Sequence, residues 1–266
     1  MMMYLAKEWK ELSRAKGLWL ALGIVMILSI LLLLEARSFP IEHGFQVFLL
    51  SLYEMQVFLI PLLSLFLASF TIMQEKELKT LMILMTKKES YRSFLLKKSF
   101  AIHGITLGVF ISWYIIFAIP MKLFLSFNSI DFLYFLISIS ALLLIFNQIG
   151  FLMGSLCNTR MQLVGANTFI WFFFIFLVDL IFLYALPYVT YSNVTIFSVF
   201  YFLDPLHTLK FFLETSLGVF SLEYMSRLME KVVWMSPSLF FISNLIIWMV
   251  VSFELAVFLR NKGDRQ

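Results

Sequence analysis

The sequence has 266 residues, of which 62% are hydrophobic and only 14% are charged, and its formal net charge is +4. Soluble globular proteins contain about 45–50% apolar and about 25% charged residues, so this composition excludes an ordinary soluble domain. The basic residues collect in short segments beside apolar runs, which argues against nucleic acid as a partner. The single cysteine, Cys157, excludes an internal disulfide and has no metal-site spacing.

The apolar runs predict an all-α membrane protein that forms one transmembrane domain over residues 1–266. Six spans are expected, at about residues 17–34, 52–73, 99–121, 132–153, 162–188 and 237–259. Ahead of the first span, residues 4–16 place Leu5, Trp9 and Leu12 on one helical face. This pattern favours an amphipathic helix in the membrane interface, and the alternative is a solvated basic leader.

The distribution of basic residues predicts the topology. Fifteen of the twenty Lys and Arg residues lie at the N-terminus, in residues 74–98, at Arg160 and in the C-terminal tail. By the positive-inside rule both termini are cytoplasmic, and residues 189–235 are outside. The outer segment carries a helical apolar pattern, and Asp204-Pro205 breaks the chain ahead of it. We therefore expect helices packed on the outer rim there rather than a seventh span.

Residues 74–98 hold seven of the twenty basic residues and also an apolar stripe. Leu78, Leu81, Met82 and Met85 recur at helical spacing, which predicts a short cytoplasmic amphipathic helix between spans 2 and 3. A loop that only connected two spans would need no such stripe. The helix either lies on the lipid surface or docks into a cytoplasmic partner, and docking is the hypothesis we favour.

Other motifs narrow the function. The sequence contains neither the G-x-x-x-x-G-K-[ST] phosphate loop nor H-E-x-x-H, and its three histidines are scattered, so we expect no enzyme and no metal site. Gly104/Gly108 and Gly150/Gly154 each favour close helix packing inside the subunit over a dimer face. Asp179 interrupts the fifth span, where an ionisable residue is costly. It lies either on a transport path or in a structural hydrogen bond to a neighbouring helix.

A motif of about forty residues resembles the membrane subunits of ABC-2 type transporters. It consists of an acidic residue at the end of the second span (Glu75 or Glu77), Thr80-Leu81, Leu84, Ser90, Arg92, and Lys97 or Lys98. The sequence departs from the family pattern in that Lys79 replaces a glycine, no proline precedes Ser90, and Tyr91 intervenes before Arg92. Within the family, Leu203-Asp204-Pro205, Asn244 to Trp248 and the segment 258–264 are similar to the permease of nitrous-oxide-reductase maturation clusters.

The resemblance implies a permease that forms a homodimer and pairs with two copies of a separate ATP-binding subunit. ATP and Mg²⁺ would be bound by that partner, and this chain would carry no cofactor. The residues expected to dock the ATPase are Glu75, Glu77, Leu78, Thr80, Leu81, Met82, Leu84, Met85 and Arg92. Further partners would be membrane lipids and an extracytoplasmic accessory protein, in the plasma (inner) membrane of a bacterial or archaeal cell.

The substrate stays open at the level of sequence. One alternative is a role in maturing nitrous oxide reductase or its copper site, and another is export of an antimicrobial peptide, a drug or a lipid. Two rivals belong to different classes, an ion-coupled secondary transporter and a membrane-embedded enzyme. The first would need ion-coupling groups near the bilayer centre, and only Asp179 approaches that requirement.

Overall fold

The computed structural model describes residues 2–14, 16–36, 44–79, 90–220 and 226–263, and these ranges contain helices and no strand. The first five helices are α1 (Met2–Arg14), α2 (Lys16–Glu35), α3 (Gly44–Glu77), α4 (Tyr91–Phe124) and α5 (Ser129–Leu156). The fifth span is assembled from α6 (Arg160–Phe172), a π-helix (Phe173–Leu177), α7 (Val178–Ala185) and a 3₁₀ turn (Leu186–Tyr188). Then come α8 (Val194–Leu203), α9 (Pro205–Ser216), α10 (Arg227–Val232) and α11 (Pro237–Gly263).

The described ranges confirm the all-α class, and six of their helices are long and apolar enough to cross a membrane, as the predicted multi-pass architecture requires. They are α2, α3, α4, α5, the composite helix over 160–188, and the region Met229–Leu259, which includes most of α11. The pair α8 and α9 reaches the same length and hydropathy only when the two are combined, and it bends by 95°. The bend falls at Asp204, and the pair would count as a seventh span only if it were one broken span, so the expectation of helices on the outer rim stays a prediction.

Two helices, α3 and α4, are much longer than the spans predicted from their apolar runs. Each has 34 residues, or about 51 Å at about 1.5 Å per residue, whereas the hydrocarbon core of a bilayer is about 30 Å thick. Residues 74–77 and 91–98, expected in a connecting segment, are therefore helical extensions of α3 and α4. The predicted amphipathic helix falls mainly on residues 80–89, outside the described ranges.

Local capping signals set the ends of these two long helices. The Ser90 side chain accepts a hydrogen bond from the backbone N–H of Ser93 at 3.2 Å and caps the start of α4. At the end of α3 the chain turns through Leu78 and Lys79, and Lys79 has φ = 55°. That left-handed conformation follows helices most often at glycine, and this is the position where the sequence departs from the glycine of the ABC-2 pattern.

The centre of the bundle is the contact between α3 and α5, and two glycines of α5 make it close. A Cβ at Gly150 would lie 2.7 Å from the backbone oxygen of Leu65, and a Cβ at Gly154 would lie 2.8 Å from that of Ser69. Packing inside the subunit is thus confirmed for this pair. For Gly104 and Gly108 the prediction of close packing inside the subunit is wrong, because an added Cβ would meet none of the described atoms within 4 Å.

Polar side chains link the buried faces of neighbouring helices. Asn167 of α6 donates to Ser69 of α3 at 2.7 Å, and Asn147 of α5 donates to Thr106 of α4 at 2.8 Å. Such bonds recur between helices in membranes, where water offers no alternative partner. The outward faces carry large exposed apolar side chains instead, for example Ile119, which is 64% exposed. Polar side chains between the helices and apolar side chains on the outward faces are the distribution expected of a protein surrounded by lipid.

Candidate functional site

The helix that carries Asp179 is irregular directly before it. Residues Phe173–Leu177 form a π-helix, in which backbone hydrogen bonds span five residues instead of four. The wider turn changes the side of the helix on which the following residues lie, and π-bulges occur frequently at functional sites. Phe174 and Ile175 of this segment line one cavity together with Asp179.

Asp204 separates α8 from α9 and caps the start of α9. Its carboxylate oxygen Oδ2 accepts a hydrogen bond from the backbone N–H of His207 at 2.8 Å, and Pro205 occupies the first helical position. Both features are sequence signals for a helix N-terminus, so the break predicted at Asp204-Pro205 is confirmed. The cap fixes His207 in the first turn of α9, facing α7.

The His207 ring lies between two carboxylates. Its Nδ1 is 2.6 Å from Oδ2 of Asp204, and its Nε2 is 3.1 Å from Oδ1 of Asp179. A neutral imidazole has one N–H and can donate to only one of these carboxylates, whereas an imidazolium donates to both. The three side chains form a continuous chain of proton-exchanging groups that joins α9 to the fifth span.

A second ion pair joins α9 to α3. The ammonium of Lys210 is 2.7 Å from Oε1 of Glu54 and 3.7 Å from Oε1 of Glu214. The side chains of Lys210 and Glu54 are 44% and 47% exposed, so the pair contributes little to stability. Its effect is to hold two more carboxylates beside the Asp179–His207 pair.

A cavity of about 530 Å³, which we call the acidic pocket, is lined by Glu54, Asp179, His207, Lys210 and Glu214. Its volume falls in the range of about 300–1,000 Å³ typical of small-molecule sites. It lies at the end of the bundle opposite the basic segments, since Glu54 is in the first half of α3. The uncharged part of its wall is aromatic and aliphatic, and consists of Tyr53, Val57, Phe58, Phe174, Ile175, Tyr201, Leu206 and Phe211.

The pocket has an excess of negative groups. Three carboxyl groups, Glu54, Asp179 and Glu214, line the cavity together with the imidazole of His207 and the ammonium of Lys210. The buried carboxyl group of Asp204 lies behind the lining, against His207. Burial raises the pKa of Asp204, and the nearby charge of Asp179 raises it further, although the hydrogen bonds of His207 oppose the change. Burial likewise raises the pKa of Glu214, with a contribution from Glu54.

One polar group on the pocket wall has no partner. Tyr53 is 0% exposed, and its hydroxyl makes no hydrogen bond to any of the described residues. A buried polar group left unpaired costs about 1–3 kcal/mol. Tyr53 therefore offers an unused donor and acceptor at the wall of the cavity.

At the opposite, basic end of the bundle, a buried ion cluster ties three helices together. The ammonium of Lys98 in α4 is 2.9 Å from Oε1 of Glu75 in α3, and 2.9 and 3.1 Å from the two carboxylate oxygens of Glu8 in α1. Lys7 adds a bond of 2.8 Å to Glu75. Burial raises the pKa of Glu8, although the charge of Lys98 opposes this. We call these four residues the clamp.

Two carboxylates of the clamp and the neighbouring Glu11 approach one another closely enough to be considered as a metal site. Oxygens of Glu8, Glu11 and Glu75 lie within 4.8 Å of one another. The ammonium of Lys98, however, already bonds both Glu8 and Glu75. Because a lysine supplies the positive charge that a metal ion would bring, we assign no metal to this cluster.

The predicted docking residues lie in different settings. Glu75 is inside the clamp and 3% exposed, Glu77 pairs with Arg160, and Arg92 is 2.5 Å from Glu254. Leu78 is 62% exposed at the end of α3. The remaining predicted docking residues lie outside the described ranges: Thr80, Leu81, Met82, Leu84 and Met85. Docking itself stays a prediction.

Asp179 has the properties of both alternatives that the sequence left open, since it lines a cavity and also bonds a neighbouring helix. Sequence reasoning did not connect it with His207 or Lys210. The sequence named Lys98 only as one of two candidate lysines of the ABC-2 motif, and it gave no sign that Lys98 is buried against Glu8 and Glu75. The available signals were the Asp204-Pro205-x-His207 spacing and a charge, Glu54, inside an otherwise apolar run.

No protein-family model matches this sequence, and no curated protein matches it.

Proposed function

We propose that this chain is the permease subunit of an ATP-driven transporter of the ABC-2 type, powered by a separate ATP-binding subunit. The observation that carries the proposal is the clamp, which joins the two helices that residues 80–89 connect in the sequence. Its members Glu75 and Lys98 belong to α3 and α4, respectively. A force applied to the segment would reach both helices at once.

The length of α3 and α4 and the ion pairs of the clamp couple the movement of the two helices. Each of α3 and α4 is one continuous helix of 34 residues, with a proline inside it, Pro61 in α3 and Pro120 in α4. Each proline removes one backbone hydrogen bond, and the remaining bonds keep the helix continuous from end to end. Moving α3 away from α4 at the clamp would separate Lys98 from Glu75 and leave a buried charge without its partner, which costs several kcal/mol. The two helices therefore move together, and α3 carries Glu54, a member of the acidic pocket, toward its other end.

The proposal assigns sides and partners. The basic end is cytoplasmic by the positive-inside rule, so the clamp faces the ATPase and the acidic pocket faces outward. Leu78, which is 62% exposed, begins the apolar stripe that would enter a groove of the ATPase. Two permeases and two ATPases would form the working unit, in a bacterial or archaeal plasma membrane, with ATP and Mg²⁺ held by the ATPase.

A photo-crosslinking residue at Met82 tests this proposal in intact cells. We expect an adduct with a protein that mass spectrometry identifies as carrying a phosphate-loop ATPase domain. The matched control is the same residue at Ile119, which is 64% exposed on the apolar part of α4 and should give lipid adducts only. Lipid adducts alone at both positions would contradict the proposal.

A second experiment asks whether the contact drives transport. Leu81→Ala combined with Leu84→Ala removes two apolar anchors, each worth about 1–3 kcal/mol of binding. Association with the ATPase should weaken while membrane insertion stays normal, because neither residue belongs to a described span. Unchanged association would argue against these anchors.

One observation favours a second candidate, a proton-coupled secondary transporter. Asp204, His207 and Asp179 form a chain of groups that can exchange protons, as proton relays in such transporters do. Proteoliposomes that contain this chain alone distinguish the candidates. Uptake driven by a pH gradient without any ATPase would support the second candidate and contradict the first.

A further inference from the structure

We propose that the acidic pocket binds organic cations that carry an aromatic or other bulky apolar group, and that such amphipathic cations are the substrate class. As a statement about substrate this rests on the proposed transport function. The binding itself does not, because it can be measured on the purified chain.

The groups that face the cavity carry an excess of negative charge. Even when His207 and Lys210 are both positive, the three carboxyl groups that line the cavity, Glu54, Asp179 and Glu214, outnumber them. Charges of one sign in a recess with apolar walls concentrate counter-ions of the other sign. An anion would meet net repulsion there, so the pocket selects for positive charge.

The aromatic wall of the cavity favours a ligand that also has an apolar group. Tyr53, Phe58, Phe174, Tyr201 and Phe211 supply aromatic surface to the cavity. Aromatic faces attract cations through their negative quadrupole and attract apolar groups by burial. A small hydrated metal cation would use neither property, whereas an amphipathic organic cation uses both.

An independent observation points to a ligand at this place. Tyr53 is one of the residues that line the cavity, and its buried hydroxyl has no hydrogen-bond partner in the described part of the chain. Its oxygen can accept a bond from an ammonium N–H. A bound primary amine would therefore satisfy a group that is otherwise unpaired.

The first experiment compares two ions of nearly the same size and shape but opposite charge. The purified protein in lipid nanodiscs is titrated with tetraphenylphosphonium and, separately, with tetraphenylborate. We expect saturable binding of the phosphonium only. The double variant Glu54→Gln with Asp179→Asn should weaken it at least about tenfold, a factor that corresponds to 1.4 kcal/mol.

The matched control is Glu254→Gln, which makes the same chemical change in a carboxylate paired with Arg92 at the other end of the bundle. It should leave phosphonium binding unchanged, which shows that the effect of the double variant comes from the pocket. Equal binding of the two ions, or full binding by the double variant, would overturn the cation site. Either result leaves the proposed ATP-driven function untouched, since that depends on crosslinking at Met82.

Tyr53 is tested with a pair of amines. Tyr53→Phe should weaken binding of 2-phenylethylammonium, which has N–H donors, and should leave its trimethylated analogue unaffected. Because the hydroxyl has no partner in the described chain, the variant should remain folded, as thermal unfolding would verify. The same loss with both amines, or with neither, would remove Tyr53 from the site.

Acidification should also weaken cation binding. Glu214 lines the pocket, and its protonation as the pH falls removes part of the negative excess. Because burial raises the pKa of Glu214, the loss of binding should begin above the ordinary carboxyl range of about pH 4. Phosphonium binding that is independent of pH between about 5 and 8 would contradict this.

Discussion

Replacing the buried cation of the clamp is a direct test of how the helix ends are joined. In Lys98→Met the ammonium that bonds Glu8 and Glu75 is lost, and those side chains are only 1% and 4% exposed. Breaking a buried ion pair by removing one partner costs about 3–5 kcal/mol, because the other charge stays buried without compensation.

The contacts around Lys98 refine that magnitude. Glu75 would keep a bond of 2.8 Å to Lys7, whereas the nearest remaining ammonium to Glu8 would be that of Lys7, at 3.9 Å. Most of the loss should therefore fall on Glu8, and we expect the lower end of the range, about 3 kcal/mol. At about 2–4 °C per kcal/mol, the midpoint of thermal unfolding should drop by about 6–12 °C.

Intrinsic tryptophan fluorescence during heating of the detergent-solubilised protein measures this change. Adding Glu8→Gln to Lys98→Met should recover much of the loss, since it removes the uncompensated charge. The control is Arg92→Met, which breaks an ion pair with Glu254 whose side chains are 59% and 49% exposed and should cost under about 1 kcal/mol. Equal midpoints for Lys98→Met and Arg92→Met would refute the assignment of a buried clamp.

Two further predictions use matched positions in the same chain. In the same thermal assay, Gly154→Ala should destabilise the protein by about 1–3 kcal/mol, because its Cβ would lie 2.8 Å from the backbone oxygen of Ser69. Gly108→Ala is the control, and it should be neutral or stabilising because its Cβ would meet none of the described atoms within 4 Å. Lys79→Gly should stabilise the end of α3 by up to about 1 kcal/mol, because glycine adopts φ = 55° without the steric cost paid by lysine; a lower unfolding midpoint for this variant would contradict the turn.

The span pattern and the helix break at Asp204-Pro205 could be predicted from sequence because both are local. A bilayer requires about 20 consecutive apolar residues for a helix that crosses it, and such runs are visible in the chain itself. A proline preceded by aspartate is likewise a short-range signal that ends one helix and begins another. For these features no information about distant residues is needed.

Only the tertiary structure decided which charges pair and which glycines are packed. Gly104/Gly108 and Gly150/Gly154 have the same spacing, yet only the second pair faces another helix closely, because α5 is central and that face of α4 is open. Lys98 looks like any basic residue beside a span, but helix packing buries it against Glu8 and Glu75. Asp179 meets His207 through the bend at Asp204. Hydropathy is a property of neighbouring residues, whereas these contacts depend on how distant helices rotate and cross.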